Sequence, residues 1–184
     1  MAAKAERKAI DKVFILLGLA ATVVLLIVGG LMWYGYTFAS DMVTANLSEQ
    51  KIFFPASGSE AINKLPAADQ EQMNKYAGQQ LVNGDQAKVY ADNFIKVHLS
   101  EIADGKTYSE VSAEAMKDPT NTTLQMQKTV LFQGETLRGL LLGSGYSYWT
   151  FAKIAKYVSI ISFLGAACMA LLVLLGLRHL SKVK

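Results

Sequence analysis

Residues that cross-link a chain or hold metals are scarce in this sequence of 184 residues, which has one cysteine and two histidines. The single cysteine, Cys168, excludes a disulfide within the chain. It lies in an apolar run, where we interpret it as a small packing residue. An apolar run long enough to cross a bilayer separates His98 from His179. We therefore expect the two histidines not to share a metal ion, and we predict no metal site.

Sequence motifs of the common enzyme classes are missing as well. There is no C-x-x-C-H haem attachment, no glycine-rich phosphate loop, no G-x-S-x-G nucleophile elbow and no H-E-x-x-H zinc motif. No basic stripe with interleaved aromatic residues suggests nucleic-acid binding. We predict a protein without catalytic residues and without a cofactor. An enzyme remains an alternative only if the fold brings acidic side chains to His98.

Two long apolar runs are the dominant feature that the sequence does contain. Residues 157–177 hold no charged side chain and, at about 1.5 Å per helical residue, reach roughly the 30 Å of a bilayer core. Residues 13–35 form a second such run, and Trp33 and Tyr34 lie at its end, where aromatic side chains anchor helices at the membrane surface. The runs predict an all-α membrane protein with transmembrane helices at 13–35 and 157–177.

The net charge of +3 is unevenly distributed along the chain. Residues 1–12 and 178–184 are basic tails, whereas residues 36–156 contain more acidic than basic side chains. Because basic flanks of transmembrane helices stay in the cytoplasm, we expect both termini to be cytoplasmic. The region 36–156 is then an extracytoplasmic domain, and the protein is a multi-pass protein of the plasma membrane.

Capping and helix-breaking residues predict that this domain is mainly helical. Pro66 suits the first turn of a helix over 66–81, which Asn83-Gly84 would close. Asp85 is then the predicted N-cap of the next helix, over 86–103. The residues of this helix that are predicted to face the core are Ile95, Leu99 and Ile102.

A capping box predicts the start of a third helix in the domain. Thr107 and Glu110 form its T-x-x-E pattern, and Asp118-Pro119 ends the helix. A further helical pattern begins near Asn121 and runs towards the second apolar run. The glycines and serine at 143–145 are predicted to interrupt it. No alternating pattern in the sequence predicts a strand.

Rows of small residues indicate where another helix can approach closely. One such row lies in the second apolar run, at Ser162, Ala166 and Ala170. It either packs against the first apolar run or contacts a different protein. A second candidate contact is the glycine-rich and leucine-rich segment 133–148 with the neighbouring aromatic anchor. Its predicted contact residues are Gly139, Leu140, Leu141, Leu142, Gly143 and Trp149.

Three stretches support a resemblance to a known family. They are LSEQKIFFP at 47–55, QAKVYADNFIKVHLSEIADGKTYSEVS at 86–112 and FQGETLRGLLL at 132–142. In this order between two apolar runs, they resemble a family of two-span actinobacterial membrane proteins. Many members carry the label of an aromatic ring-opening dioxygenase. That chemistry needs two histidines and a carboxylate around one iron, which two histidines on opposite sides of a membrane cannot supply.

The resemblance implies a plasma-membrane address and no activity. In size and topology the chain is also similar to the small accessory subunit of the actinobacterial respiratory supercomplex of cytochrome bc and cytochrome aa oxidase. We therefore expect a non-catalytic accessory or assembly subunit, whose partners are membrane lipids and other integral membrane subunits. The alternative is a stand-alone envelope protein whose outer domain binds a small ligand, a lipid or a cell-wall fragment.

Overall fold

A computed structural model describes residues 2–182 of the chain, with side chains described from residue 6 onward. Met1, Val183 and Lys184 lie outside the described residues, so the predicted basic tails are covered only in part. The structure is 82% helical and contains no strand among the described residues. A single antiparallel bridge joins Phe53 to Gln80. The prediction of an all-α fold is confirmed.

The described residues, 2–182, contain eight α-helices and two π-helical segments. The α-helices are α1 (Ala2–Glu49), α2 (Glu60–Asn63), α3 (Ala67–Asn74), α4 (Gly84–Tyr90), α5 (Lys96–Ile102), α6 (Tyr108–Lys117), α7 (Thr122–Leu140) and α8 (Tyr148–Lys182). The π-helical segments are π1 (Ala91–Ile95) and π2 (Leu141–Ser147). These elements form two units. The chain up to Phe38 and from Phe151 onward forms a helix pair, and Ala39–Thr150 forms a separate helical unit.

The helix pair consists of long apolar helices that pack in antiparallel directions. Contacts link Gly18 to Val173, Leu25 to Gly165 and Gly29 to Phe163, so residue numbers fall along α1 as they rise along α8. In each helix the buried and half-buried residues recur at alternating steps of three and four, the spacing of coiled-coil seams. The seam of α1 is Asp11, Ile15, Gly18, Thr22, Leu25, Gly29, Met32 and Tyr36. The seam of α8 is Ala152, Ala155, Ser159, Ser162, Ala166, Met169, Val173, Gly176 and Leu180.

The outward surface of the helix pair stays apolar and uncovered. Two helical runs, Glu6–Glu49 and Thr122–Lys182, are each long and apolar enough to cross a membrane. Only 11% and 22% of the most apolar window of these runs is buried. The core helix of a soluble protein would be mostly buried, because exposed apolar surface costs about 25 cal/mol per Å² in water.

The helical unit 39–150 has its own apolar core. Side chains from the end of α1, the segment after it and every later element of the unit meet there. The largest fully buried side chains are Val43, Ile62, Met73, Leu81, Val111 and Leu141. Tyr90, Phe94 and Trp149 pack at the edge of this core.

The helix predicted over 66–81 is shorter, and the prediction was wrong beyond Asn74. Pro66 is the N-cap and Gly78 adopts a positive φ of 71° after the helix ends. The next residues instead pair with the segment after α1. The Phe54 amide donates to the Gln79 carbonyl at 2.9 Å, and the Leu81 amide donates to the Ile52 carbonyl at 2.9 Å. These hydrogen bonds satisfy backbone groups that a longer helix would have used.

The N-cap of α4 is Asn83, so the prediction of Asp85 was wrong. The Asn83 side chain accepts from the Gln86 amide at 3.0 Å, and the Gln86 side chain accepts from the Asn83 amide at 3.2 Å. This reciprocal pair is a capping box that glutamine completes. Asp85 lies two residues after Asn83, inside the first turn of α4, and it bonds elsewhere.

The other predicted boundaries in the unit agree with the structure at most positions. Helical residues run from Gly84 to Ile102 through π1, with Ile95 and Leu99 in the core. Ile102 was predicted to face the core as well, but it is exposed at the last turn. The Thr107–Glu110 capping box starts α6, as predicted. Positive φ angles at Asp104 and Gly105 precede it.

Residues 143–145 do not interrupt the helix, which corrects the prediction made from their composition. Helical residues continue from Thr122 to Lys182, and π2 lies inside this run. A π-helical turn absorbs one extra residue without breaking the run. Gly145 is buried, and a β-carbon at this position would lie 3.1 Å from the Ala87 Cβ. The glycine therefore serves a close contact with α4.

Candidate functional site

The small-residue row of α8 lies on the seam of the helix pair. Ser162 and Ala166 are buried, and Ala170 is half-buried. On the same face the Ser159 hydroxyl, which the sequence analysis missed, donates to the Gly29 carbonyl at 2.8 Å. Of the two alternatives for this row, the structure places Ser162 and Ala166 within the chain. Neither has free surface for another protein while the pair is formed.

The predicted contact segment around π2 divides into inward and outward residues. Leu141 is in the core at 1% exposure, whereas Leu140 is 55% exposed. Leu142 is half-buried, and Gly139 and Gly143 are exposed with open space around them. Leu140 is therefore the most exposed leucine of this segment, and open space surrounds Gly139 and Gly143.

Trp149 is half-buried and is fixed in place by α4. Its indole Nε1 donates to Asp85 Oδ2 at 2.9 Å. Its ring packs against Gly84, where no side chain intervenes. Within this unit Trp149 therefore joins α4 to the start of α8.

A groove beside Leu140 is one of the cavities of the helical unit. It has a volume of about 410 Å³ and lies between the last turns of α1 and the junction of α7 with π2. Its lining residues are Val43, Asn46, Leu47, Glu49, Gln50, Leu140, Ser144 and Gly145. We call this cavity the α1–π2 groove. Apolar side chains and a glycine form about half of its lining, and amide, hydroxyl and carboxylate groups form the rest.

A charged network joins π1 to α4 and α7. Asp92 accepts from Lys88 Nζ at 2.6 Å and from an Arg138 guanidinium nitrogen at 3.1 Å. Burial of Asp92 acts to raise its pKa, but the hydrogen bonds from Lys88 and Arg138 outweigh it and hold the pKa below its ordinary value. The same hydrogen bond raises the pKa of Lys88. Lys88 also lies over the Tyr146 ring, 5.1 Å from its centroid.

His98 is exposed, and its ring contacts Phe94. The His98 Nδ1 lies 2.8 Å from the Phe94 carbonyl, and its ring contacts the Phe94 ring at 4.4 Å between centroids. Because a carbonyl only accepts, Nδ1 carries the proton and the exposed Nε2 faces solvent. Within residues 6–182 no group of three or more His, Cys, Asp or Glu side chains could hold a metal ion. Cys168 is exposed on the outward surface of α8 and lies outside the seam.

Comparisons with known proteins leave the chain without an assigned relative. No protein-family model, no curated protein and no solved structure matches it.

Proposed function

We propose that this chain is a non-catalytic accessory or assembly subunit of a larger complex in the plasma membrane. The pair of α1 and α8 would hold it in the bilayer, with both termini in the cytoplasm and the helical unit 39–150 outside. The α1–π2 groove is the surface through which it would bind a neighbouring subunit.

Membrane insertion is supported by the surface of the helix pair. Both helices satisfy their own backbone hydrogen bonds, as a bilayer requires. Small residues of α8 such as Ala155, Ser159 and Ala166 are buried in their seam, while their outward faces carry large apolar side chains such as Phe14, Leu17 and Leu164. Water cannot cover such faces at low cost, but lipid chains or other transmembrane helices can. The basic residues near both helix ends favour cytoplasmic termini.

The observation that carries the proposal of a partner is the position of Leu140. Its side chain is more than half exposed at the mouth of the α1–π2 groove. The next residue, Leu141, is fully buried in the core. Large apolar side chains beside a cavity with a polar rim are typical anchors of protein interfaces. A protruding apolar side chain of the partner would fill the groove, and Asn46 and Gln50 could bond its backbone.

The respiratory supercomplex of cytochrome bc and cytochrome aa oxidase is the first partner to test. This choice rests on the resemblance of the sequence to the actinobacterial family and on size and topology. It does not depend on any metal or haem ligand of this chain, since an accessory subunit needs none.

Gentle extraction tests the proposal directly. The full chain, with an affinity tag after Lys184, is extracted from native membranes in mild detergent and analysed by native gels and mass spectrometry. We expect haem-bearing respiratory subunits at fixed stoichiometry. Another set of membrane subunits at fixed stoichiometry would replace the respiratory assignment and retain the accessory role. A lone chain or a self-oligomer would contradict that role.

A pair of matched variants tests the groove itself. Leu140→Glu places a charge at the mouth of the groove and should reduce co-purification of the partner at least about tenfold. Met126→Glu, at an equally exposed position of α7 away from the groove, should leave co-purification unchanged. Equal loss in both variants, or in neither, would exclude the groove as the contact.

The stand-alone envelope protein is a second candidate, favoured by the groove's volume and polar rim. A cavity of about 410 Å³ falls within the range of small-molecule sites. If the chain migrates alone on native gels, thermal-shift screening with lipids and cell-wall fragments becomes the test. A ligand that stabilises the natural chain but not the variant Ser144→Trp would establish this role.

A further inference from the structure

The helix pair contains a second cavity, at the end where α1 begins and α8 ends. Its volume is about 280 Å³. Apolar residues of both helices form its walls, among them Ile15, Leu172 and Val173, and Gly176 leaves room on α8. Asp11 and His179 are the two titratable side chains of the lining. The cavity is thus an apolar slot with a polar end.

Asp11 is the residue that gives this slot a chemical preference. It occupies the first described seam position of α1, and its Oδ2 is fully enclosed without a hydrogen-bond partner. A carboxylate oxygen accepts hydrogen bonds and, when ionised, cannot donate. An enclosed acceptor without a donor is costly. A ligand that brings an N–H or O–H donor to the half-buried Asp11 carboxylate would lower this cost.

The surroundings of Asp11 also favour a phosphate. Lys8 and Lys12 lie within one helical turn of Asp11, and Arg178 and Lys182 lie within one turn of His179. All four are exposed and can reach the headgroup region of a bilayer. One end of the cavity therefore has a carboxylate that lacks a hydrogen-bond donor and basic side chains that attract a phosphate. The apolar walls of the cavity extend from this end.

We propose that this cavity binds one phospholipid whose headgroup carries a hydrogen-bond donor. The donor, an ammonium or a hydroxyl group, would bond the Asp11 carboxylate, the phosphate would lie near the basic side chains, and an acyl chain would follow the apolar walls. The inference rests on the membrane location proposed above. It goes beyond that location because a selective lipid site differs from general contact with lipid.

Native mass spectrometry of the full chain in mild detergent tests the headgroup requirement. Phosphatidylethanolamine offers an ammonium donor, phosphatidylglycerol offers hydroxyl donors, and phosphatidylcholine offers neither. With matched acyl chains, we expect at least one of the first two lipids to bind about tenfold more tightly than phosphatidylcholine, equivalent to about 1.4 kcal/mol. Whichever of the two binds identifies the donor as ammonium or hydroxyl. Equal binding of all three lipids would overturn the proposal.

Two variants separate the headgroup contact from the apolar slot. Asp11→Leu removes the acceptor and should abolish the preference over phosphatidylcholine. Leu172→Trp obstructs the cavity and should lower binding of the preferred lipid about tenfold, whereas Leu171→Trp, at an equally exposed neighbouring position outside the cavity, should not. Unchanged selectivity in Asp11→Leu, or equal effects of the two tryptophans, would exclude this cavity as the lipid site.

The two proposals fail in distinguishable ways. Recovery of the chain in the soluble fraction without detergent would exclude both the membrane location and the lipid site. A chain that is firmly membrane-integrated but has no headgroup preference would exclude the lipid site alone. The co-purification of protein subunits depends on the α1–π2 groove and is read out separately.

Discussion

Gly84 and Trp149 are in such close contact that a β-carbon at position 84 would lie 2.2 Å from the Trp149 Cβ. The same atom would lie 2.8 Å from the Gly145 carbonyl oxygen. Gly84 has helical backbone angles in the first turn of α4, so its backbone does not require glycine. The requirement comes from packing alone, and it places the start of α4 directly against π2 and the first turn of α8.

Substitution of Gly84 by alanine should therefore destabilise the chain. Alanine ordinarily favours a helix over glycine by about 0.5–1 kcal/mol, but here the β-carbon forces α4 away from Trp149, and overpacking of this kind costs about 1–3 kcal/mol. Thermal unfolding of the purified chain in detergent, followed by far-UV circular dichroism, measures the change. Gly139→Ala is the control, because nothing lies within 4 Å of a β-carbon there, and it should stabilise slightly. A Gly84→Ala chain as stable as Gly139→Ala would contradict the close contact.

The seam of the helix pair predicts that leucine substitutions at two adjacent alanines differ in their effect on stability. Ala166 is 2% exposed in the seam, whereas Ala167 is on the outward surface. Ala166→Leu should separate α8 from α1 and lower the unfolding free energy by about 1–3 kcal/mol. Ala167→Leu should leave it nearly unchanged. The isolated chain in detergent suffices for this measurement. If Ala166→Leu affects only co-purification of a partner and not the stability of the chain, the row serves a partner instead of α1.

Cys168 provides a test of the membrane location without any substitution. It lies on the outward surface of α8, within the predicted transmembrane stretch, so lipid alone would shield it. A membrane-impermeant maleimide should leave it unmodified in intact membranes and modify it after denaturation. Modification in intact membranes at the rate of an exposed thiol would show that this stretch of α8 lies in water.

Introduced cysteines report the side of the membrane in the same assay. In a chain with Cys168→Ala, a cysteine in place of Ser109 in the helical unit should react from outside intact cells. A cysteine in place of Lys182 should react only after the membrane is opened. The reverse pattern would invert the proposed orientation, and reaction of both from outside would exclude two spans.

Asp92 should make stability depend on pH on the acid side. Its pKa is lowered from 3.8 in the folded chain, so its ionised form stabilises the fold. That contribution is complete above the unfolded pKa of about 3.9, and it is lost as the pH falls through the folded value. Asp92→Asn should reduce stability at pH 7, and the difference from the natural chain should vanish in strong acid.

Asp41→Asn, at an exposed position of α1 outside the network, is the control for that experiment. Both variants are compared with the natural chain by thermal unfolding across the acid range. A difference between Asp92→Asn and the natural chain that stays constant from neutral to acid pH would show that the Lys88–Asp92–Arg138 network does not stabilise the fold through charge.

Local hydrogen bonding explains which parts of the fold could be predicted. The capping box of Thr107 and Glu110 uses groups three residues apart, so the sequence alone indicates it. The end of α5 at Ile102 is equally local, because Asp104 and Gly105 follow it with positive φ angles. The choice of Asn83 over Asp85 was missed because either side chain can cap a helix. In the structure Asp85 does not cap α4, because its carboxylate accepts a hydrogen bond from Trp149. Trp149 lies far along the chain, in the first turn of α8.

The seam of the helix pair was only partly recognised. The sequence pattern indicated a row of small residues at four-residue steps. The contact surface of α8 instead alternates steps of three and four and begins at Ala152. That alternation is present in the sequence and could have led to Ser159. The spacing of residues could not have shown that Leu140 is exposed and Leu141 is buried. A π-helical turn shifts the direction of the side chains by an amount that no local pattern encodes.

The sequence by itself determined that this chain is helical, that two of its helices are long and apolar enough to cross a membrane, and where most short helices begin. These properties follow from periodicity, charge and capping, which act between residues a few positions apart. Only the tertiary structure decided which faces remain free. It turned Ser162 and Ala166 inward against α1, left Leu140 at an open groove and enclosed an oxygen of Asp11 without a donor. Such outcomes depend on contacts between residues far apart in the chain, whose geometry is fixed only when the helices pack.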